Sequence, residues 1–333
     1  MLTQSELTAK VNSFIAEMTY NQSPDGLYSP IKYVLSLGGK RIRPVLMLMA
    51  YNLYHEDVDC ILPNAIALET YHNFTLLHDD LMDRAEVRRG HPCVHKKWND
   101  NTAILSGDAM LILAYKLMTE HRSSDLQPCT TADANIRVLN TFTAATLGVC
   151  EGQQYDMEFE SRNNVTEVEY MEMIRLKTSL LLACALKIGA QLAGAAEKDS
   201  EYLYEFGEKM GLAFQLQDDL LDVYGDPAVF GKKIGGDILC NKKTFMLIRS
   251  LEEASPQQRR QLEHWLCQID YNPQMKIDAV RSIYDELGIR SICEIKIEQL
   301  FSEALVALGR VGVDEERKQP LKQFAHQLMN RKY

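Results

Sequence analysis

The chain has 333 residues, 46% hydrophobic and 25% charged, too apolar for a disordered polypeptide and long enough to bury a large core without disulfide or metal staples. Its net charge of −10 argues against general nucleic-acid binding, which needs a basic face. The eight cysteines stand alone, without CxxC pairs or zinc-type spacing, as expected for reduced thiols of a cytoplasmic protein.

The opening stretch, MLTQSELTAKVNSFIAEM, has a helical period and an early acid rather than a signal peptide's basic start and apolar centre. It predicts a helix over 3–20. Helices follow at 43–54, 63–83, 101–121, 133–160, 166–196, 199–224, 240–253, 256–271, 275–287, 291–308 and 318–331. Apolar stripes carry them: Leu203, Phe206, Met210, Ala213, Phe214, Leu220 and Leu221 form one, and Ile297, Leu300, Phe301, Ala304 and Leu308 another. No proline intervenes between Pro128 and Pro227, which allows long helices in succession. Thr166 with Glu169, and Ser255-Pro256 with Gln258, are capping boxes that mark two starts. Alternating strand patterns with Asn-Gly or Asp-Gly turns are missing. No apolar run approaches the roughly 18 residues of a membrane span, since Leu180–Leu186 stops at Lys187, so no stable membrane insertion is expected. No linker or composition break divides the chain, and one all-α domain over 1–333 is the expectation.

Two acidic clusters break the local rules. His78-Asp79-Asp80-Leu81-Met82-Asp83 and Gln217-Asp218-Asp219-Leu220-Leu221-Asp222 both read DDxxD. On a helix these spacings crowd three carboxylates onto one flank. Gly90-His91-Pro92 and Gly225-Asp226-Pro227 follow them, so each cluster closes a helix at its negative dipole end. Such clusters call for cations, and oxygen-only donors point to hard Mg²⁺, which keeps waters and bridges to phosphates. Basic partners stand nearby: Gly38-Gly39-Lys40-Arg41-Ile42-Arg43-Pro44, Arg88-Arg89, Gly231-Lys232-Lys233 and Asn241-Lys242-Lys243. Guanidinium and ammonium groups beside a metal–carboxylate nest form a clamp for a diphosphate.

Over 38–243 the chain resembles the trans-isoprenyl diphosphate synthases, the family of farnesyl and geranylgeranyl diphosphate synthases. GGKRIRP (38–44), HNFTLLHDDLMDRAEVRRG (72–90), Lys177-Thr178, FQLQDDLLD (214–222) and the downstream lysines carry the resemblance, in the family's order. It implies an all-α bundle around a deep cavity, aspartate clusters facing each other at its mouth, and a homodimer. It implies that isopentenyl diphosphate is joined to an allylic diphosphate, with three Mg²⁺ ions, replaceable by Mn²⁺. By position, Lys40, Arg43, His72 and Arg89 would hold isopentenyl diphosphate. Asp79, Asp83 and Asp218 would ligate metal directly, and Asp80, Asp219 and Asp222 through bound water. Arg88, Lys177, Lys232 and Lys242 would neutralise the allylic diphosphate, with Thr178 and Gln215 near the developing cation. The family's second lysine sits before Ser/Thr-Thr, whereas this chain reads Lys242-Lys243-Thr244, so either lysine fits. The C-terminal Arg331-Lys332 resembles a basic tail that closes over the site in some members.

Two other classes compete. A class I terpene cyclase carries DDxxD but has no use for GGKRIRP or Arg89, and a non-catalytic subunit tends to lose acidic residues that are all present here. Product length falls to Phe74, Thr75 and Tyr71, at i−5, i−4 and i−8 from Asp79. Phe74 and Tyr71 share a helix face and can stack as a plug. An aromatic at the Phe74 position goes with short products in the family, and the first motif lacks the two-residue insertion of many bacterial farnesyl synthases. The expected product is C15, with C20 next and C30 or longer excluded.

Overall fold

A computed structural model of the chain describes residues 1–18, 22–120, 132–226 and 234–329. Lys232, Lys233, Arg331 and Lys332 fall outside these. Among the described residues the fold is all-α, with one two-stranded hairpin. The helices are α1 Gln4–Glu17, α2 Asp25–Ser36, α3 Ile42–Asn52, α4 Leu62–Met82, α5 Val94–Lys97, α6 Asp100–Thr119, α7 Ala132–Ser161, α8 Glu167–Ile174, α9 Leu180–Leu192, α10 Glu197–Tyr224, α11 Gly236–Leu239, α12 Phe245–Glu253, α13 Pro256–Cys267, α14 Pro273–Glu286, α15 Ile289–Gly309 and α16 Glu315–Met329. Strands β1 Val87–Arg88 and β2 His91–Pro92 pair antiparallel.

Several expectations need correction. Helix α2 is absent from the sequence reading because Gly26 and Pro30 look like breakers; Pro30 is instead buried beside Ile31, Val34 and Leu35. The single helix expected over 166–196 is interrupted by a π-helical turn at Arg175–Ser179. The helix expected from 240 starts at Phe245, because Asn241 has a left-handed backbone (φ 56°) and Thr244 is the true N-cap. The two capping boxes form as read, at Thr166/Glu169 and Ser255/Gln258. Among the described residues one helix, α6, is long and apolar enough to span a membrane by length and composition, with a mean hydropathy of 1.2, a test that the core helix of a soluble protein also passes. Asp108 and Lys116 interrupt its apolar run, which is why unbroken stretches missed it.

The chain forms two compact units. The first comprises Met1–Thr143, Cys184–Leu203 and Gly312–Leu321. Within it α3 is buried on every side from Pro44 to Asn52, as its unbroken apolar run PVLMLMAY requires, and α4 is buried from Leu62 to Tyr71. Gly107 on α6 admits His78 of α4, because a Cβ there would stand 2.1 Å from the imidazole Nε2. The second unit comprises Ala144–Ala183, Tyr204–Val311 and Lys322–Tyr333. Its core gathers Tyr170, Met173, Leu216, Leu220, Phe245, Leu262, Tyr284 and Cys293.

Candidate active site

In the first unit, GGKRIRP builds a basic cradle. Gly38 and Gly39 take positive φ (76° and 138°), and Arg41, also left-handed at 51°, is the N-cap of α3. Arg41 turns inward, where Nη1 meets Glu69 at 2.5 Å and Nη2 donates to the Leu35 carbonyl. This ion pair, 2% and 3% exposed, fixes the loop and leaves Lys40 and Arg43 on either side. Arg43 Nη1 donates to His72 Nε2 at 3.1 Å. Burial, reinforced by Arg43, Arg89, Arg88 and Arg41, holds the His72 pKa well below its usual value, so the ring is neutral and accepts that bond. Burial also brings the Arg43 guanidinium down to about 10, against the pull of Glu69, and its Nε has no hydrogen-bond partner among the described residues.

The hairpin completes the cradle. Arg89 (φ 53°) and Gly90 (φ 78°) are the two central residues of its turn, both left-handed as a type I′ turn demands. That strained backbone aims the Arg89 guanidinium at the Gly38 carbonyl, and a Cβ on Gly39 would collide with it at 2.8 Å. Lys40, Arg43, His72 and Arg89 therefore line one open cavity of about 500 Å³, together with Gly39 and Glu69.

The first aspartate cluster ends α4, with Asp83 as its C-cap. Arg88 Nε donates to both Asp80 oxygens, at 2.7 and 2.8 Å, and its Nη2 lies 3.9 Å from Asp79. Two turns back from Asp79, Tyr71 is fully buried with its ring 5.5 Å from Phe74. Phe142, 5.7 Å from Tyr71, extends the expected pair to three rings, while Thr75 spends its hydroxyl on the His72 carbonyl.

The second unit holds the other cluster, on the last two turns of α10. Asp219 is buried, and both its oxygens are taken: Tyr170 donates to one and Gln215 Nε2 to the other at 2.9 Å. Burial raises the Asp219 pKa, opposed mainly by Lys242. Asp222 accepts the Asp237 N–H. Asp218 is half-buried and accepts no hydrogen bond among the described residues. Thr178 donates to Gln215, and Lys177 reaches Asp156 at 2.5 Å. Both residues ride the π turn, a departure from α geometry that often marks functional positions. Two glycines make room for it: a Cβ on Gly152 would sit 2.5 Å from the Lys177 nitrogen, and one on Gly211 2.6 Å from the Ser179 Cα.

Geometry separates the two lysines. Burial pulls the Lys242 pKa down, but Asp219, Asp237, Asp156 and Asp218 carry it above the usual lysine value, so it stays charged among the second cluster. Lys243 instead donates to the Asn241 carbonyl. Sequence reasoning missed Tyr170, Asp156 and Asp237. The signal available was weak: Tyr170 and Asp156 lie on the helices flanking Lys177, and Asp237 five residues before Lys242.

The donor set suits magnesium. Among the described residues no three His, Cys, Asp or Glu side chains converge into an all-protein cage. Magnesium takes one or two carboxylates and completes its octahedron with water and substrate phosphate, which paired aspartates at helix ends can supply. Arg88, bridging Asp79 and Asp80, marks where positive charge is wanted.

Residues 24–287 match the model of a known family, polyprenyl synthetase. The chain belongs to the polyprenyl synthetase family. A geranylgeranyl diphosphate synthase of Methanosarcina mazei is 38% identical over 246 residues, 74% of each chain. A short chain isoprenyl diphosphate synthase of Methanocaldococcus jannaschii is 40% identical over 244 residues, 73% of this chain and 72% of that one. A crystal structure of a geranylgeranyl pyrophosphate synthase superposes with a TM-score of 0.91 at 40% identity, covering all of both chains. As a polyprenyl synthetase the protein is an enzyme of the prenyltransferase class. The matched span contains the cradle and both aspartate clusters, and leaves out α1, α15 and α16.

Proposed function

We propose that the enzyme joins isopentenyl diphosphate to an allylic diphosphate and releases diphosphate as a short-chain synthase. The cradle carries this reading. A cyclase has no second diphosphate to hold, whereas Lys40, Arg43 and Arg89 bring three cations, with the His72 imidazole, to a single cavity whose one carboxylate, Glu69, pairs Arg41. Arg43 and neutral His72 orient the isopentenyl diphosphate, and Arg89 closes its edge. Asp79, Asp83 and Asp218 would hold magnesium directly, and Asp80, Asp219 and Asp222, which serve Arg88, Tyr170 with Gln215, and the Asp237 N–H, would act through bound water. Bound Mg²⁺ supplies positive charge that stabilises the leaving diphosphate. Lys177 and Lys242 would add to it from the protein, with Arg88 as a further cation for the allylic diphosphate. Thr178 and Gln215 offer oxygens to the developing cation, and apolar walls exclude water that would trap it.

The product is C20, with C15 next. The relatives named geranylgeranyl synthases favour C20 over the expected C15, and the cluster of three rings, Phe74 tilted and Phe142 edge-on against Tyr71, limits anything much longer. A second copy of the chain covers the exposed Ile104, Leu105 and Ile112 of α6, giving a cytoplasmic homodimer. The test is incubation with C5, C10 and C15 allylic diphosphates plus isopentenyl diphosphate, with products read by mass spectrometry. Geranylgeranyl diphosphate accumulates if the proposal holds; a cyclised hydrocarbon, or no condensation, refutes it.

A further inference from the structure

Lys276 lies on α14, far along the chain from every residue assigned above, and it is fully buried. Among the described residues it makes no ion pair. Its ammonium donates to Asn241 Oδ1 at 2.6 Å and stands 4.3 Å over the Tyr271 ring. A buried ammonium without a carboxylate is costly, so packing alone would favour an apolar side chain here. Asn241 is where that cost is used. Its backbone is left-handed, and its amide is held at both ends, by Lys276 on the oxygen and by the Leu266 carbonyl on the nitrogen at 3.0 Å. The next residue is Lys242. Its N–H is pinned to the Asp237 carbonyl at 2.9 Å, and its ammonium lies 3.9 Å from Asp237 Oδ1. Asp237, Asn241, Lys242 and Lys276 share an enclosed space of about 10 Å³, room for at most one water.

We propose that Lys276 is a positioning residue for the reaction: through Asn241 it fixes the turn that holds the Lys242 ammonium toward the second aspartate cluster. This rests on the reading of Lys242 as a diphosphate-binding cation. Removing the amine leaves Asn241 Oδ1 without its donor, and the turn relaxes toward ordinary backbone angles.

The test compares Lys276→Met, which keeps the volume, with Lys276→Arg, which keeps a donor. Three measurements are made on the full chain: acetic-anhydride labelling of Lys242 read by peptide mass spectrometry, binding of inorganic diphosphate with magnesium chloride by calorimetry, and steady-state kinetics. Lys276→Met increases Lys242 labelling, weakens diphosphate about tenfold, as expected for one misplaced charge-assisted contact, and lowers kcat with the KM for isopentenyl diphosphate unchanged. Lys276→Arg restores all three. A lower melting temperature with unchanged Lys242 labelling and diphosphate affinity overturns the proposal. If Lys276→Met does not fold, Asn241→Gly, which keeps the left-handed backbone without the amide, must raise Lys242 labelling; unchanged labelling overturns the proposal equally. If Lys242→Met binds diphosphate as the parent does while Lys276→Met still exposes Lys242 to labelling, the positioning stands and the role given to Lys242 falls.

Discussion

Glu69→Gln removes a charge assigned no part in binding substrate, yet it should be among the most damaging single changes in the first unit. Arg41 is 4% exposed, and its guanidinium is committed to three oxygens, on Glu69, Leu35 and Asn12. The amide keeps the shape of the carboxylate, so no cavity opens. What changes is charge: a buried guanidinium is left without a counter-ion, a loss of about 3–5 kcal/mol. That is a large part of the roughly 5–15 kcal/mol holding an ordinary domain together. Urea unfolding at neutral pH, followed by far-UV circular dichroism, reads it directly. Arg41→Met/Glu69→Leu, which removes both charges, should recover most of the loss, because an apolar pair in the same space is nearly neutral. Since Arg41 links Lys40 to Arg43, Glu69→Gln should also raise the KM for isopentenyl diphosphate before it unfolds the protein. A stability loss below about 1 kcal/mol, the range of an exposed pair, would refute the reasoning.

Four further outcomes are expected. Asp79→Ala or Asp218→Ala should keep the parent's circular dichroism and lower turnover roughly a hundredfold or more, and EDTA should abolish turnover that Mg²⁺ or Mn²⁺, but not zinc, restores; near-normal rates in either variant would sink the metal assignment. Arg43→Ala should raise the KM for isopentenyl diphosphate far more than for the allylic substrate, and Lys177→Ala the reverse with a lower kcat; equal effects on both constants would contradict separate pockets. Phe74→Ala should lengthen the product by at least one five-carbon unit and Phe74→Ala/Tyr71→Ala by more, since Tyr71 lies about 4.5 Å further along α4; an unchanged product distribution would place the floor elsewhere. The folded His72 pKa is depressed, so below about 6.5 the unfolded chain takes a proton that the folded one refuses, and stability should fall as pH falls. His72→Gln should flatten that slope in a pH series of thermal melts.

What the sequence made legible was whatever has a period or a repeated spacing. The long helices and both DDxxD ends were readable because apolar stripes and i,i+4 carboxylates are local patterns. Helix α2 was not, because Pro30 breaks a helix in isolation and is tolerated only where burial of Ile31, Val34 and Leu35 outweighs the missing hydrogen bond. The cradle was legible as composition but not as geometry. Nothing in GGKRIRP says that Arg41, rather than Lys40 or Arg43, turns inward; that is decided by Glu69, 28 residues away. Tyr170, which holds Asp219, was invisible for the same reason, its partner lying 49 residues downstream.

The π turn at Arg175–Ser179 sets an angular phase for the helical stretch that contains it. Each α-helical residue advances the helix by about 100°; the wide turn takes up one extra residue without that rotation, whereas a residue deleted from either α-helical flank would turn one end of the stretch against the other by that amount. Tyr170, Met173 and Ile174 face the core on one side of the turn, and Leu180–Leu186 are buried on the other, so neither flank has a polar face to rotate inward without loss. With Gly152 and Gly211 fitted to the wide turn itself, the number of residues from Glu167 to Leu192 behaves as a fixed gauge. Natural length variation should therefore collect in loops, and a one-residue deletion in either flank, outside the wide turn, should cost folding before it costs chemistry.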